Sequence, residues 1–225
     1  IAPLRGCIGS LKGATPAVFG SNLSPEAISM DQIDNALTFF RLSAGSWRSQ
    51  RTSHHLLHRR AEAGGSLIEV AMLSPDDPRL VAMANLHNQN PSEVVGGCHV
   101  RWGGSMAWDK HGEAHEGESM FALIPTDTEG RQGLLLRDRG YAETAPVAGN
   151  FRLDQEGSLW LTTSYETMAS EERFWFVSPN IRLRSSTVEG LSNTASLCIE
   201  TRLNGGQQSS TSSSSNGIAA SLLGW

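Results

Sequence analysis

A chain of 225 residues, 39% apolar and 18% charged, is long enough for one domain whose core can enclose a small ligand. Its formal charge of −5 and the lack of a long basic run exclude the electrostatic footprint of a nucleic-acid binder. No apolar run approaches the roughly 20 residues that span a bilayer. Cys7, Cys98 and Cys198 lie far apart and form no CxxC pair, which argues against a zinc ribbon, a thioredoxin-like centre or a disulfide framework.

Residues 1–28 are rich in Gly, Pro and Ala and show neither helical nor strand periodicity, so they read as an N-terminal extension. The chain opens at Ile1 without the charged start and apolar centre of a secretory signal. Removal of an upstream targeting peptide and a late start of the sequence both stay open. The domain itself is expected over 29–203, beginning with a helix. Ser29 and Gln32 have capping-box spacing, Asp31 and Asp34 suit a first turn, Ile33, Leu37 and Phe40 recur at helical intervals, and Gly45 is a stop.

From Trp47 the pattern turns to β. Short segments at 47–57, 66–73, 94–102, 105–109, 119–124, 132–137, 147–153, 158–164, 172–177, 181–188 and 196–203 are separated by turn signals such as DTEG, DQEG and PNI. Many short strands at regular spacing imply an antiparallel barrel or sandwich. One helix interrupts them at 74–88, with Ser74 as cap, Pro75 in the first position, Asp76 and Asp77 facing its dipole, and Leu80, Val81 and Ala84 as its apolar stripe. Residues 204–225 form a Ser/Gly-rich tail ending in IAASLLGW. It reads either as a tether with an apolar anchor or as a frayed terminus.

Three clusters carry chemistry. The first, around SWRSQRTSHHL, holds Arg51, His54 and His55. His54 and His58 are four apart, but no HExxH glutamate lies between them, and polar residues on a half-exposed strand are the plainer reading of the pattern. In the second, GGCHVRWGGSMAWD, Trp102 and Trp108 share a face if the strand keeps register through Gly103 and Gly104. They read as core, or as a flat wall for a conjugated ring. In the third, EERFWFVSPNIRLRSSTV, Arg182, Arg184 and Ser186 alternate with apolar residues on one strand face, with Glu172 across the turn. That face is either solvated or a carboxylate-binding surface. No GxSxG elbow, P-loop or GxGxxG helix start is present.

The stretches FFxxSxGxWxSQRTxHHL, LSPDDPxL, GGxxVxWxGxMxWD, GLLLRDRGYAETAPVAGNFxLDxEGxLxLxTxYE and ERFWFxxPNxRLRxSTV run in order from Phe39 to Arg202. They resemble the S-type (CpeS/CpcS-like) phycobiliprotein chromophore lyases. The resemblance does not reach residues 1–28 or the tail. It implies a mainly all-β fold, a lipocalin-like antiparallel β-barrel of about ten strands, here with one N-terminal and one inserted helix. It also implies an open-chain tetrapyrrole (phycobilin) held without a metal and presented to a cysteine of an apo-phycobiliprotein, whose thiol adds to the ring A ethylidene to form a thioether. Carried over by position, Arg51, His54, Trp102, Trp108 and Arg184 would contact the pigment, and Glu172, Arg182 and Ser186 would hold it or hand it over. The implied partner is an apo-phycobiliprotein subunit. Antenna or photosystem subunits and a second copy of the chain are further candidates, in a plastid or a cyanobacterial cytoplasm, the plastid preferred. The competing reading is a non-catalytic pigment-binding or linker subunit built on the same barrel, with the two extensions gripping its neighbours.

Overall fold

Along Gly45–His55, Trp47, Ser49 and Ser53 are buried while Arg48, Gln50, Thr52 and His54 are exposed, the period-2 alternation of a strand with one face inward. The same alternation runs through a computed structural model that describes residues 33–106, 115–138, 147–190 and 193–203. The strands are β1 (Gly45–His55), β2 (Arg60–Leu73), β3 (Gly96–Met106), β4 (His115–Pro125), β5 (Gln132–Arg137), β6 (Val147–Leu153), β7 (Leu159–Ser164), β8 (Met168–Ser178), β9 (Ile181–Gly190) and β10 (Thr194–Arg202). Each pairs antiparallel with its neighbours in sequence, and β10 returns to β1, which closes a ten-stranded barrel with no open sheet edge among the described residues.

Helix α1 (Ala36–Ser43) starts later than the expected capping box. Its N-cap is Asn35, whose side chain accepts the Thr38 amide at 2.8 Å, and Ile33 and Asp34 are not helical. The approach to the helix is tied to the β4–β5 turn, since Ala36 N donates to Gly130 O at 3.0 Å and Arg131 Nη1 to Asp34 O at 3.1 Å. Those contacts outweigh local capping propensity; Ser29, Asp31 and Gln32 lie outside the described residues. Ala36, Phe39, Phe40 and Leu42 are buried against Trp47, Leu123, Leu153 and Phe176, so α1 closes the end of the barrel where β1 begins. Each such large side chain contributes about 1.5–3 kcal/mol by leaving water. Arg202 lies 4.2 Å over the Trp47 ring and donates to the Leu42 and Ala44 carbonyls, capping the C-terminus of α1.

Helix α2 (Pro78–Leu86) is also shorter than expected. Ser74 caps a turn, not the helix: its carbonyl accepts the Asp77 amide at 3.0 Å. Asp77 is the N-cap, accepting the Arg79 amide at 3.0 Å, and Pro78 rather than Pro75 takes the first turn. Leu80, Met83 and Ala84 bury against Leu73, Ala122, Ile124 and Leu136, a second core on the outside of the barrel.

The segments expected at 94–102 and 105–109 join in one strand, β3, which starts at Gly96 and runs unbroken through Gly103 and Gly104 to Met106; 107–109 lie outside the described residues. Gly104 serves a close approach rather than a turn: a Cβ there would lie 2.6 Å from Ser66 Cβ on β2. The strand expected at 66–73 extends back to Arg60, because β1 and β2 pair along their whole length.

Candidate functional site

Inside the barrel the wall is apolar near α1 and polar toward the far end. The polar part is built by β8, β9, β10 and β1, whose pairing stacks inward side chains in three rows. Phe176, Arg182, Glu200 and Ser49 form the row nearest α1; Phe174, Arg184, Cys198 and Arg51 the next; Glu172, Ser186, Ser196 and Ser53 the one nearest the mouth.

In the first row Arg182 is 5% exposed and Glu200 0%. Glu200 Oε2 accepts from Arg182 Nε at 2.7 Å and lies 2.6 Å from Nη2. The guanidinium also sits 4.8 Å from the Trp47 ring and 5.5 Å from the Phe174 ring. A buried charge of this kind persists only because it is paired and stacked. Arg182 is therefore held by the protein itself, paired with Glu200 and stacked between Trp47 and Phe174.

Arg184, one row higher, is held loosely. Nη1 lies 3.5 Å from Glu172 Oε1, Nε lies 3.6 Å from Glu200 Oε1, and Nη2 reaches Cys198 Sγ at 3.3 Å. Neither Arg184 Nε nor Glu200 Oε1 has a hydrogen-bond partner among the described residues. Burial works against the charge, but Cys198, Glu200 and Glu172 outweigh it and hold the guanidinium above its ordinary value. Arg51, in the same row, makes a soft contact among the described residues, Nη2 to Met106 Sδ at 3.0 Å. Ser53 and Ser196 hydrogen-bond to each other at 2.9 Å, and at the rim His55 Nε2 meets Glu62 Oε2 at 2.9 Å.

Strand β3 lies five neighbours from β8 in either direction around the ring, hence on the opposite wall. It places Trp102 on the inner face, paired with inward Ile68 and 40% exposed. The indole lies across Gly117 of β4: a Cβ there would sit 2.7 Å from Trp102 Cε2. The lumen thus has a flat aromatic wall facing a row of guanidinium, carboxylate and hydroxyl groups, which suits a long, planar, conjugated ligand with acidic side groups.

Of the residues expected at a site, the structure brings Arg51, Trp102, Glu172, Arg182, Arg184 and Ser186 to the barrel interior. It does not bring His54, which is exposed on the outer face; parity hands the inward place to His55. Trp108 lies outside the described residues. Cys98 faces inward in the apolar part, and burial pushes its thiol up to about 12, as expected for a small buried hydrophobe. Glu200 was not anticipated, although the alternation of Cys198, Glu200 and Arg202 in LCIETR marks a carboxylate on an inward face.

The profile of the CpeS-like protein family matches residues 35–203. The chain is 69% identical over 170 residues to "Chromophore lyase CpcS/CpeS 2" of Paulinella chromatophora, covering 76% of this chain and 86% of that one. It is 48% identical over 198 residues to "Phycocyanobilin lyase subunit CpcS" of a Picosynechococcus species, covering 87% and 100%. The solved structure of the S-type phycobiliprotein lyase CPES from Guillardia theta matches with a TM-score of 0.65 at 30% identity, over 80% of this chain and 96% of that one. Barrel, register and sequence agree, and the chain belongs to the CpeS-like family.

Proposed function

We propose that this protein is a phycobiliprotein chromophore lyase: it binds a phycobilin in the polar half of the barrel and presents it to a cysteine of an apo-phycobiliprotein. The observation that carries this reading is the under-satisfied Arg184, with Nε lacking a hydrogen-bond partner among the described residues and its ion-pair contacts at 3.5 and 3.6 Å. A guanidinium held this way is ready to take a better acceptor, and a propionate is one.

Arg51 and Arg184 flank Cys198 in one row and supply the two propionate forks. When a propionate takes Arg184, Glu172 loses its partner and turns to the protonated pyrrole nitrogens, where it fixes the pigment's charge and orientation. Ser186, beside Glu172 in the register, adds a hydroxyl to either group. Trp102 and Trp108 supply the ring face. Arg182, bound to Glu200, positions Arg184 through that shared carboxylate rather than touching pigment, and His54 is given no contact.

The barrel contributes to attachment by fixing conformation and excluding water, so that the acceptor thiol meets the ring A ethylidene in one orientation. The S–C bond forms as the acceptor's S–H bond breaks, and the ethylidene π pair shifts into the ring system and takes up a proton that balances the one the thiol releases. No protein metal takes part in this reading. The compartment that follows is one in which phycobiliproteins are built, a plastid or a cyanobacterial cytoplasm. The assignment of 1–28 and 204–225 as extensions, and of the tail as an anchor to an antenna or photosystem assembly, remains part of the proposal.

The test is spectroscopic. Adding free phycobilin to purified protein should shift and sharpen its visible absorption reversibly, and Arg184→Met should weaken binding by about tenfold or more, the loss of one charged hydrogen-bonding fork. Unchanged affinity in folded Arg184→Met would move the site elsewhere.

A further inference from the structure

Resting on the lyase reading, we infer that the acceptor protein docks on the rim of the barrel through the β1–β2 hairpin tip, Leu56–Arg59, using an apolar knob with the Arg59 guanidinium beside it. With one end of the barrel closed by α1, pigment held among Arg51, Glu172 and Arg184 is approached from the far end. The β1–β2 and β9–β10 connections both lie at that end.

The tip is a built feature. Strands β1 and β2 stay paired up to His55 and Arg60. Leu56 N donates to Asn193 O at 3.0 Å, which ties the tip to the β9–β10 connection. Yet Leu56 and Leu57 are 60% and 62% exposed, side by side. They line a groove whose other wall is Val188, Glu189, Asn193 and Thr194. Two adjacent leucines held out of a tied hairpin gain nothing for folding and fit a partner's apolar pocket.

The surrounding charge points to the partner's chemistry. Arg59 is exposed beside the leucines, so the tip offers a guanidinium at the rim of a chain of net charge −5, with Glu189 on the facing wall of the groove. Arg59 holds φ 50°, a left-handed conformation that favours Gly or Asn. An arginine kept at that backbone cost fits a role for its charge. The partner surface is therefore acidic around an apolar pocket, and it carries the acceptor thiol over the mouth. An anionic membrane offers related chemistry, but two leucines supply little insertion area, and the tip stands beside the exit from the lumen.

The experiment measures association of the full-length protein with a purified apo-phycobiliprotein subunit without pigment, and bilin binding separately by its spectral shift. Leu56→Ser/Leu57→Ser/Arg59→Glu should raise the Kd for the apo-subunit at least about tenfold while bilin affinity stays unchanged. Arg59→Gly, which suits the backbone, should weaken association by a few-fold and flatten its salt dependence, and Arg59→Lys should restore both. Unchanged association in the triple variant, with the fold verified by circular dichroism, overturns the docking site. So does a triple variant that loses only its binding to phosphatidylglycerol vesicles, which would assign the tip to membranes. Absence of a bilin spectral shift in the wild type would instead reject the pigment reading, and the pigment-free association would still decide the docking site.

Discussion

Replacing Glu200 by glutamine tests how the site is held. The carboxylate is fully buried and takes both Nε and Nη2 of Arg182, at 2.7 and 2.6 Å, while its other oxygen faces Arg184 Nε at 3.6 Å. Glutamine keeps the shape and removes the charge, which leaves Arg182 buried without a counter-ion. Breaking a buried pair in this way costs about 3–5 kcal/mol. At about 2–4 °C per kcal/mol for a domain of this size, the midpoint should fall by about 6–20 °C. The double variant Arg182→Met/Glu200→Leu removes both charges and should recover most of the loss, because the desolvation cost goes with the pair. Thermal and urea unfolding of wild type, Arg182→Met, Glu200→Leu and the double variant close a cycle whose coupling should exceed about 2 kcal/mol. Additive single effects, or a Glu200→Gln cost below about 1 kcal/mol, would show that Arg182 is not charged against Glu200, and the positioning of Arg184 through that carboxylate would fall with it.

Further outcomes follow from other sites. The hydrogen bonds from Arg79 hold the Asp77 carboxyl down to about 2, from an ordinary 3.8. The native state therefore binds fewer protons than the unfolded chain there, and the Asp77 contribution, present above about pH 4, is lost as pH falls toward 2; Asp77→Asn should flatten the acid limb of the stability profile, and an unchanged limb would contradict this cap. Cys98, buried with its thiol raised to about 12, should resist alkylation at pH 8 until the barrel unfolds, and rapid labelling in native buffer would place it at the surface. Gly117→Ala drives a methyl into the Trp102 indole, so the bound pigment should lose fluorescence and change its spectrum while circular dichroism holds. A pigment spectrum matching wild type would remove Trp102 from the ring-stacking wall.

The barrel was legible because alternation is a strong signal: Arg182, Arg184 and Ser186 share a face wherever their strand lies. Which face that was, lumen or solvent, depended on closure between β10 and β1, a pairing between the two ends of the domain that local pattern does not encode. The same closure explains Glu200. Its role appears only when β9 and β10 register it against Arg182, and that register also separates Arg182 from Arg184. His54 was misplaced for the opposite reason, since a motif position says nothing of parity while one residue along the strand reverses the face. The helix starts failed where tertiary bonds to Gly130 and Arg131 competed with local caps, and where two prolines, Pro75 and Pro78, both offered a first position.

Chromophore attachment is tested by co-production of the protein with a bilin-synthesising pathway and an apo-phycobiliprotein subunit, followed by mass spectrometry of the subunit. The wild type should yield a bilin thioether on one acceptor cysteine, and Arg51→Met/Arg184→Met, in a protein that still folds, should lose most of that adduct. Equal adduct yield with and without the protein, or with and without the two arginines, would contradict the lyase reading.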